Sequence, residues 1–336
     1  MSSGPDNLAE RLETVMAAPL GHGVRIADVV ALKGGYSRRM WAFDAIDLAG
    51  GRSPWILCAD SPEGVVGTDS LPRHREAVLL EHAHRAGLPV PGIAVVGERH
   101  EPFDAAWFVM QRLPGTAAVG PLVRNPALVA QRRAFGRRKA EILADIHRLS
   151  LPPHAFSELP EPEQVAAFET QRWTRALDGT PNAHTATMTA AVAALRHARP
   201  GPPARLCIVH GDYRTGNLLY DPQGTDGITG VLDWEMAHPG DPLEDVAWAQ
   251  LAAWRVGTGL VGALLSDEDW LGDYSNAAGV AIDDDSLAFW QMLTGVKMSI
   301  LAWRAVEATS PGKEHDLLVA LFGQLQTQLE QRLATW

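Results

Sequence analysis

The stretch His210–Glu244, quoted with its flanks as IVHGDYRTGNLLYDPQGTDGITGVLDWEMAHPGDPLEDVAW (208–248), decides how the rest of the chain is read. Asp212 and Asn217 stand five apart in a turn-rich segment between the apolar run ARLCIV and the pair Leu218 and Leu219. That pattern reads as strand, loop, strand. A turn at DPQGTDG leads to the run Ile228–Leu232, which ends in Asp233. A hairpin of this kind brings Asp212, Asn217 and Asp233 to one mouth. Two of these oxygen-bearing side chains suit a hard cation such as Mg²⁺, with one carboxylate beside them. Asp, Asn and Gly are also the ordinary residues of turns, so no single one of them carries a function.

The set together matches the needs of phosphoryl transfer, in which a protein positions groups and neutralises charge and does little covalent chemistry. One Asp accepts the proton of a hydroxyl, and an Asn and a second Asp hold metal ions; protein kinases space the first two in the same way. Here HGDxxxxN is followed by DWE, whose Asp comes twenty-one residues after Asp212, and then by GDPLEDVAW.

On these motifs the chain resembles the aminoglycoside phosphotransferase and choline kinase superfamily, in particular the subgroup related to the kinase-like domain fused to some acyl-CoA dehydrogenases. The resemblance implies an α+β, protein-kinase-like two-lobed fold: a small lobe with an antiparallel sheet and one main helix, then a larger, mostly helical lobe. It divides the chain into a nucleotide-binding lobe, 1–111, and a catalytic and substrate-binding lobe, 112–336. It further implies Asp212 as catalytic base, Asn217 and Asp233 as Mg²⁺ ligands, Asp241 as a prop for the catalytic loop and His210 as its brace. The activity expected is transfer of the γ-phosphoryl group of ATP, or of GTP, to a hydroxylated small molecule such as a hydroxyacyl-CoA, an aminoglycoside or choline.

Upstream, a helix from Asp6 to about Ala18 carries Leu8, Leu12, Val15 and Met16 on one face, and VRIADVVALKGGYSRRMWAFDAIDL reads as two strands joined by Gly34–Ser37. By resemblance this turn covers phosphates, through Gly35 and Ser37. The next strand, Pro54–Asp60, has Cys58 where the family carries a phosphate-gripping Lys or Arg. Glu76, in the following helix, matches the acid that pairs with that cation. Half of the expected ion pair is therefore missing, and Arg38, Arg39, Arg73 and Arg75 are the candidates to replace it. The alternative is a catalytically impaired protein that binds nucleotide or ligand without turnover. After two more strands, Gln111 and Leu113 fall where main-chain groups of the family meet adenine.

Beyond Asn125 the pattern turns helical. The spine is expected in PALVAQRRAFGRRKAEILADIHRLSL, with a solvated basic face at Arg132–Lys139 and a structural His147. Val165–Leu177, Thr185–His197, Pro242–Val256, Ser286–Glu307 and Asp316–Leu333 read as helices, and ALLSDEDWLGDYSNAAG as a turn. Lys297 and Arg304, seven apart on one helix face, are placed to meet an anionic group, and one or two tryptophans to wall the acceptor pocket.

Composition agrees with a folded protein: 336 residues, 46% hydrophobic, with a formal net charge of −11. That charge argues against a nucleic-acid partner or a polybasic membrane anchor. Two cysteines without CxxC spacing suit a reducing cytoplasm. MSSGPDNLAERLETV lacks the apolar segment of a signal peptide, and no run approaches the length of a membrane span.

Overall fold

The computed structural model describes residues 5–32, 38–61, 70–97, 102–222 and 227–336. Gly35 and Ser37 lie outside the described residues. The small lobe is an antiparallel sheet in the order β1-β2-β3-β5-β4, formed by Arg25–Leu32, Arg38–Ile46, Arg52–Asp60, Ile93–Gly97 (β4) and Trp107–Gln111 (β5). Alternate side chains leave a strand on opposite faces, so register decides which residues meet. Met40 pairs with Cys58 and Cys58 with Phe108, while Trp41 pairs with Leu57 and Leu57 with Val109.

The first set faces helix α2, Arg73–Arg85, and the second faces α1, Pro5–Leu20. On α1, Leu12 and Met16 stand four residues apart and both are fully buried, each contributing about 1.5–3 kcal/mol by leaving water. Cys58, Phe108 and the apolar residues of α2 belong instead to the main core, which continues into the helical lobe. The sheet is thereby fixed to that lobe through α2.

In the helical lobe α3 covers Val119–Arg124 and α4 Pro126–Arg148, whose N-terminus Asn125 caps by accepting from Ala127 N at 3.1 Å. The remaining helices are α5 (Val165–Asp178), α6 (Ala186–His197), α7 (Leu243–Ala249), α8 (Asp267–Ala278), α9 (Asp284–Ala308) and α10 (Lys313–Leu333). The longest, α9, is largely enclosed, with Phe289, Trp290, Met292, Leu293, Val296 and Ile300 all buried. It shares the role of spine with α4.

Several local expectations are corrected. The segment read as a turn, ALLSDEDWLGDYSNAAG, contains α8; Ser266 caps it, accepting from Asp269 N at 3.0 Å, and three acids fill its first turn, as suits the positive end of a helix. The helix expected over Pro242–Val256 is the short α7 followed by a separate 3-10 turn at Ala252–Trp254. Lys139 is no part of a solvated face: it is buried among Tyr213 and Trp270. No helix among the described residues is long and apolar enough to cross a membrane.

Candidate active site

Two small two-stranded ribbons position the site. β6, Cys207–Val209, pairs with β9, His238–Gly240, and β7, Leu218–Tyr220, pairs with β8, Ile228–Val231. The loop 210–217 runs between them. It turns at Gly211, whose φ is +81°, and a Cβ there would stand 2.4 Å from the carbonyl oxygen of Met236, so only glycine fits.

Asp245 of α7 holds the loop by its backbone. Its Oδ2 accepts from His210 N at 2.6 Å and its Oδ1 from Gly211 N at 2.9 Å, with His147 Nε2 3.2 Å from Oδ2. Burial works to raise the pKa of this carboxyl, but bonding from His147 and the neighbouring groups holds it below the usual range. Asp241, assigned this propping role from the sequence, instead accepts from Leu243 N at 2.8 Å at the start of α7. The difference is positional: Asp245 is one helical turn further on, facing the loop.

His210 is the expected brace. Its Nδ1 accepts from Asp212 N at 3.2 Å, which leaves the proton on Nε2, facing Leu232 O at 3.0 Å. Burial lowers its pKa and agrees with this neutral ring. The same strand end places Asp233: Leu232 N donates to Asn217 O at 2.8 Å, and Asp233 takes a left-handed φ of +67°.

The Asp212 carboxylate receives three side-chain donors. Oδ1 accepts from Trp248 Nε1 at 2.8 Å; Oδ2 accepts from Asn217 Nδ2 at 2.8 Å and from Arg214 Nε at 3.1 Å. Asn217 also donates to Asp212 O at 3.0 Å, so its amide nitrogen faces Asp212 and its Oδ1 remains an acceptor. Arg214 lies over the Trp254 ring, 5.0 Å from its centre.

Glu76 is paired, but not from β3. Cys58 is fully enclosed in the main core, and burial pushes its thiol pKa up to about 11. Its assignment as a nucleotide contact is therefore corrected: the thiol is protonated and sealed between neighbouring strands. The cations come from elsewhere. Arg38 of β2 is paired in register with Asp60 and so shares a sheet face with Cys58. Its Nη2 lies 3.1 Å from Glu76 Oε1 and 3.2 Å from Asp233 Oδ1, and its Nε 2.8 Å from Glu235 Oε2. Arg73 bonds the other oxygen of Glu76, reaches Asp60 Oδ1 at 2.6 Å and Glu235 Oε2 at 3.3 Å.

Burial raises the Glu76 pKa, and the two arginines act against that rise. Arg38 keeps its charge because Glu76, Asp233 and Glu235 together outweigh its burial. Two guanidiniums face the four carboxylates of Asp60, Glu76, Asp233 and Glu235, a formal excess of negative charge. Such an excess, with Asp233 36% exposed and Asn217 joined by its backbone oxygen to Leu232, the residue before Asp233, fits a divalent hard cation.

Gln111 ends β5 with its N–H donated to Gly92 O at 2.9 Å, and Leu113 follows in the link to the helical lobe. Lys297 and Arg304 do not form an anion site. Lys297 is buried on Glu244 at 3.0 Å, and Arg304 bonds Thr180 Oγ1 at 3.1 Å. Sequence reasoning had no sign of Trp248 at the Asp212 carboxylate. Arg214 was legible in principle, two residues after Asp212 in the same loop.

Comparison with known proteins bears on the family and the fold. The model of the phosphotransferase enzyme family matches residues 28–290. The chain is 27% identical over 204 residues to acyl-CoA dehydrogenase family member 10 of Mus musculus, covering 59% of this chain and 18% of that protein. It spans less than a third of the acyl-CoA dehydrogenase relatives that it matches. It is 29% identical over 232 residues to aminoglycoside 3'-phosphotransferase of Streptomyces fradiae, covering 65% of this chain and 77% of that enzyme. Among solved structures, a putative aminoglycoside phosphotransferase of Ralstonia eutropha superposes with a TM-score of 0.76 at 18% identity, over 97% of this chain and 98% of that one. With the kinase-like fold, the Asp212 loop and a family match over most of its length, the chain belongs to the phosphotransferase enzyme family.

Proposed function

We propose that the protein is a small-molecule kinase that transfers the γ-phosphoryl group of ATP, or of GTP, to a hydroxyl of a metabolite, with Mg²⁺ as cofactor. The observation that supports it most is the Asp212 carboxylate, oriented by Trp248, Asn217 and Arg214 and adjoining the strand end that carries Asp233. In this reading Asp212 takes the acceptor's proton as its oxygen attacks the γ-phosphorus, and the bond to the β-phosphate oxygen breaks to release the nucleoside diphosphate. Asn217 Oδ1 and Asp233 would hold Mg²⁺, which when bound neutralises triphosphate charge. Arg38 and Arg73, anchored on Glu76, take the place of the strand cation that Cys58 lacks. Main-chain groups at Gln111 and Leu113 meet the base, and Gly35 and Ser37 cover the phosphates. The nucleotide lobe ends at residue 111, and the protein works in the cytoplasm.

The acceptor is a hydroxyacyl-CoA, an aminoglycoside-like or a choline-like molecule. Arg214 over Trp254 makes the acceptor side of Asp212 aromatic and cationic. That favours a neutral or anionic acceptor with an apolar part over a polycation.

Nucleoside diphosphate release measured with Mg²⁺ and ATP against hydroxyacyl thioesters, aminoglycosides and choline tests the proposal. Turnover of one class, lowered about 10²–10⁴-fold in Asp212→Asn, supports it. A rise in melting temperature with ATP but no turnover of any acceptor favours the alternative, a nucleotide-binding protein without catalysis, for which Cys58 is the motive.

A further inference from the structure

Two of the three donors to the Asp212 carboxylate come from its own loop; the third, the Trp248 indole, comes from α7. That ring rests on the ammonium of Lys297 from α9, with Nζ 4.6 Å from its centre. The same Nζ donates to Gly211 O at 2.8 Å and to Glu244 Oε1 at 3.0 Å. One ammonium therefore touches both the peptide just before Asp212 and the ring that bonds its Oδ1.

Behind it, Glu244 Oε2 is bonded to His238 Nε2 at 3.0 Å, and Glu169 lies 3.8 Å from that nitrogen. All four charged or titratable side chains are buried. The ligand atoms of Glu169, His238 and Glu244 lie within 4.8 Å of one another, and the Lys297 ammonium bonds the Glu244 carboxylate of that group. A buried Lys–Glu pair is a poor source of stability, because desolvating both ions offsets their attraction and packed apolar residues serve as well. What the pair does provide is a fixed direction for every donor.

We infer that Lys297, braced by Glu244, is a positioning residue that holds the Trp248 indole against Asp212 and so sets the direction in which that carboxylate faces the cleft. The inference rests on the proposed role of Asp212 as base.

The first test needs no substrate. In ¹⁵N-tryptophan-labelled protein the Trp248 indole N–H signal is assigned by its loss in Trp248→Phe. Lys297→Met is expected to move that signal towards a free indole and to speed its hydrogen exchange about 10-fold or more, as follows when a buried hydrogen bond opens locally. An unchanged signal in folded Lys297→Met overturns the inference. If that variant does not fold, Glu244→Gln, which removes the counter-charge and keeps the shape, serves for the same measurement.

The second test is kinetic. Lys297→Met and Trp248→Phe should each lower kcat about 10–100-fold, the scale of a misaligned reacting group, with KM for ATP nearly unchanged. The double variant should be no worse than the worse single one. Additive losses, or a loss in KM alone, overturn it. A wild type that turns over no acceptor removes the proposed function, while the indole signal still decides the role of Lys297.

Discussion

Arg38 and Asp233 form an ion pair between the lobes: Nη2 of a small-lobe strand lies 3.2 Å from Oδ1 of the residue just beyond β8 in the helical lobe. The same nitrogen is 3.1 Å from Glu76. Arg38 thus links the buried acid of α2 with the acid proposed to hold metal.

The first prediction concerns the exchange of cation between strands. Arg38→Met should raise the KM for ATP about 10-fold or more, the scale of a lost charge-assisted contact of about 1.5–3 kcal/mol. Cys58→Lys should restore affinity in the Arg38→Met background. In wild type it should lower the melting temperature, since it buries a third cation beside Arg38 and Arg73. Nucleotide titrations and melting curves of the four proteins check this; a gain in ATP affinity from Cys58→Lys in wild type would count against Arg38.

Metal dependence follows from the acids around Asp233. ATP alone should raise the melting temperature little, and ATP with Mg²⁺ should raise it by several degrees, as a ligand well above its Kd does. Asp233→Asn should abolish most of the Mg²⁺-dependent part. An equal shift with and without chelator would remove Mg²⁺ from the site.

Lys139 makes stability depend on pH. Burial lowers its pKa to about 7, from 10.5. Below pH 7 it is charged in the folded and the unfolded chain, and the burial penalty is complete. From about pH 7 to 10.5 the folded protein sheds the proton while the unfolded chain keeps it, so stability rises, by at most about 5 kcal/mol. The Tyr213 and Trp270 rings, 5.6 and 5.0 Å from Nζ, reduce that figure by favouring the charged form. Lys139→Met should therefore raise the melting temperature most at pH 6, with the gain shrinking towards pH 10.

Asp241 gives a dependence of opposite slope. Burial raises its pKa from 3.8 to about 6, against the Leu243 N–H. Between these values the folded protein holds a proton that the unfolded chain has released, so stability falls as pH rises through the window. Above pH 6 the ionised carboxylate remains a cost of up to about 3 kcal/mol. Asp241→Asn keeps an oxygen for Leu243 and should be more stable than wild type at pH 7 and no more stable at pH 3.5, by denaturant melts at both.

The spacing of Asp212, Asn217 and Asp233 was legible because each lies at the end of a short apolar strand, and strand ends are local features. The α8 helix was not, since GDYSN resembles turn sequence until Ser266 and three acids are seen to cap and charge its first turn. Asp245 and Asp241 could not be told apart without knowing where α7 begins.

The order of amino acids by itself determined most strands and helices and the turn-rich character of the loop at Asp212, because period-two and helical apolar patterns and turn residues act over a few neighbours; the kinase-like fold was legible only through the resemblance of its motifs to a family. Only the tertiary structure decided which cation meets Glu76, what Lys297 touches and that Trp248 bonds Asp212. Those contacts join residues up to 197 positions apart, as Arg38 and Glu235 are. Their partners are set by strand register and helix packing, which no local stretch of sequence contains.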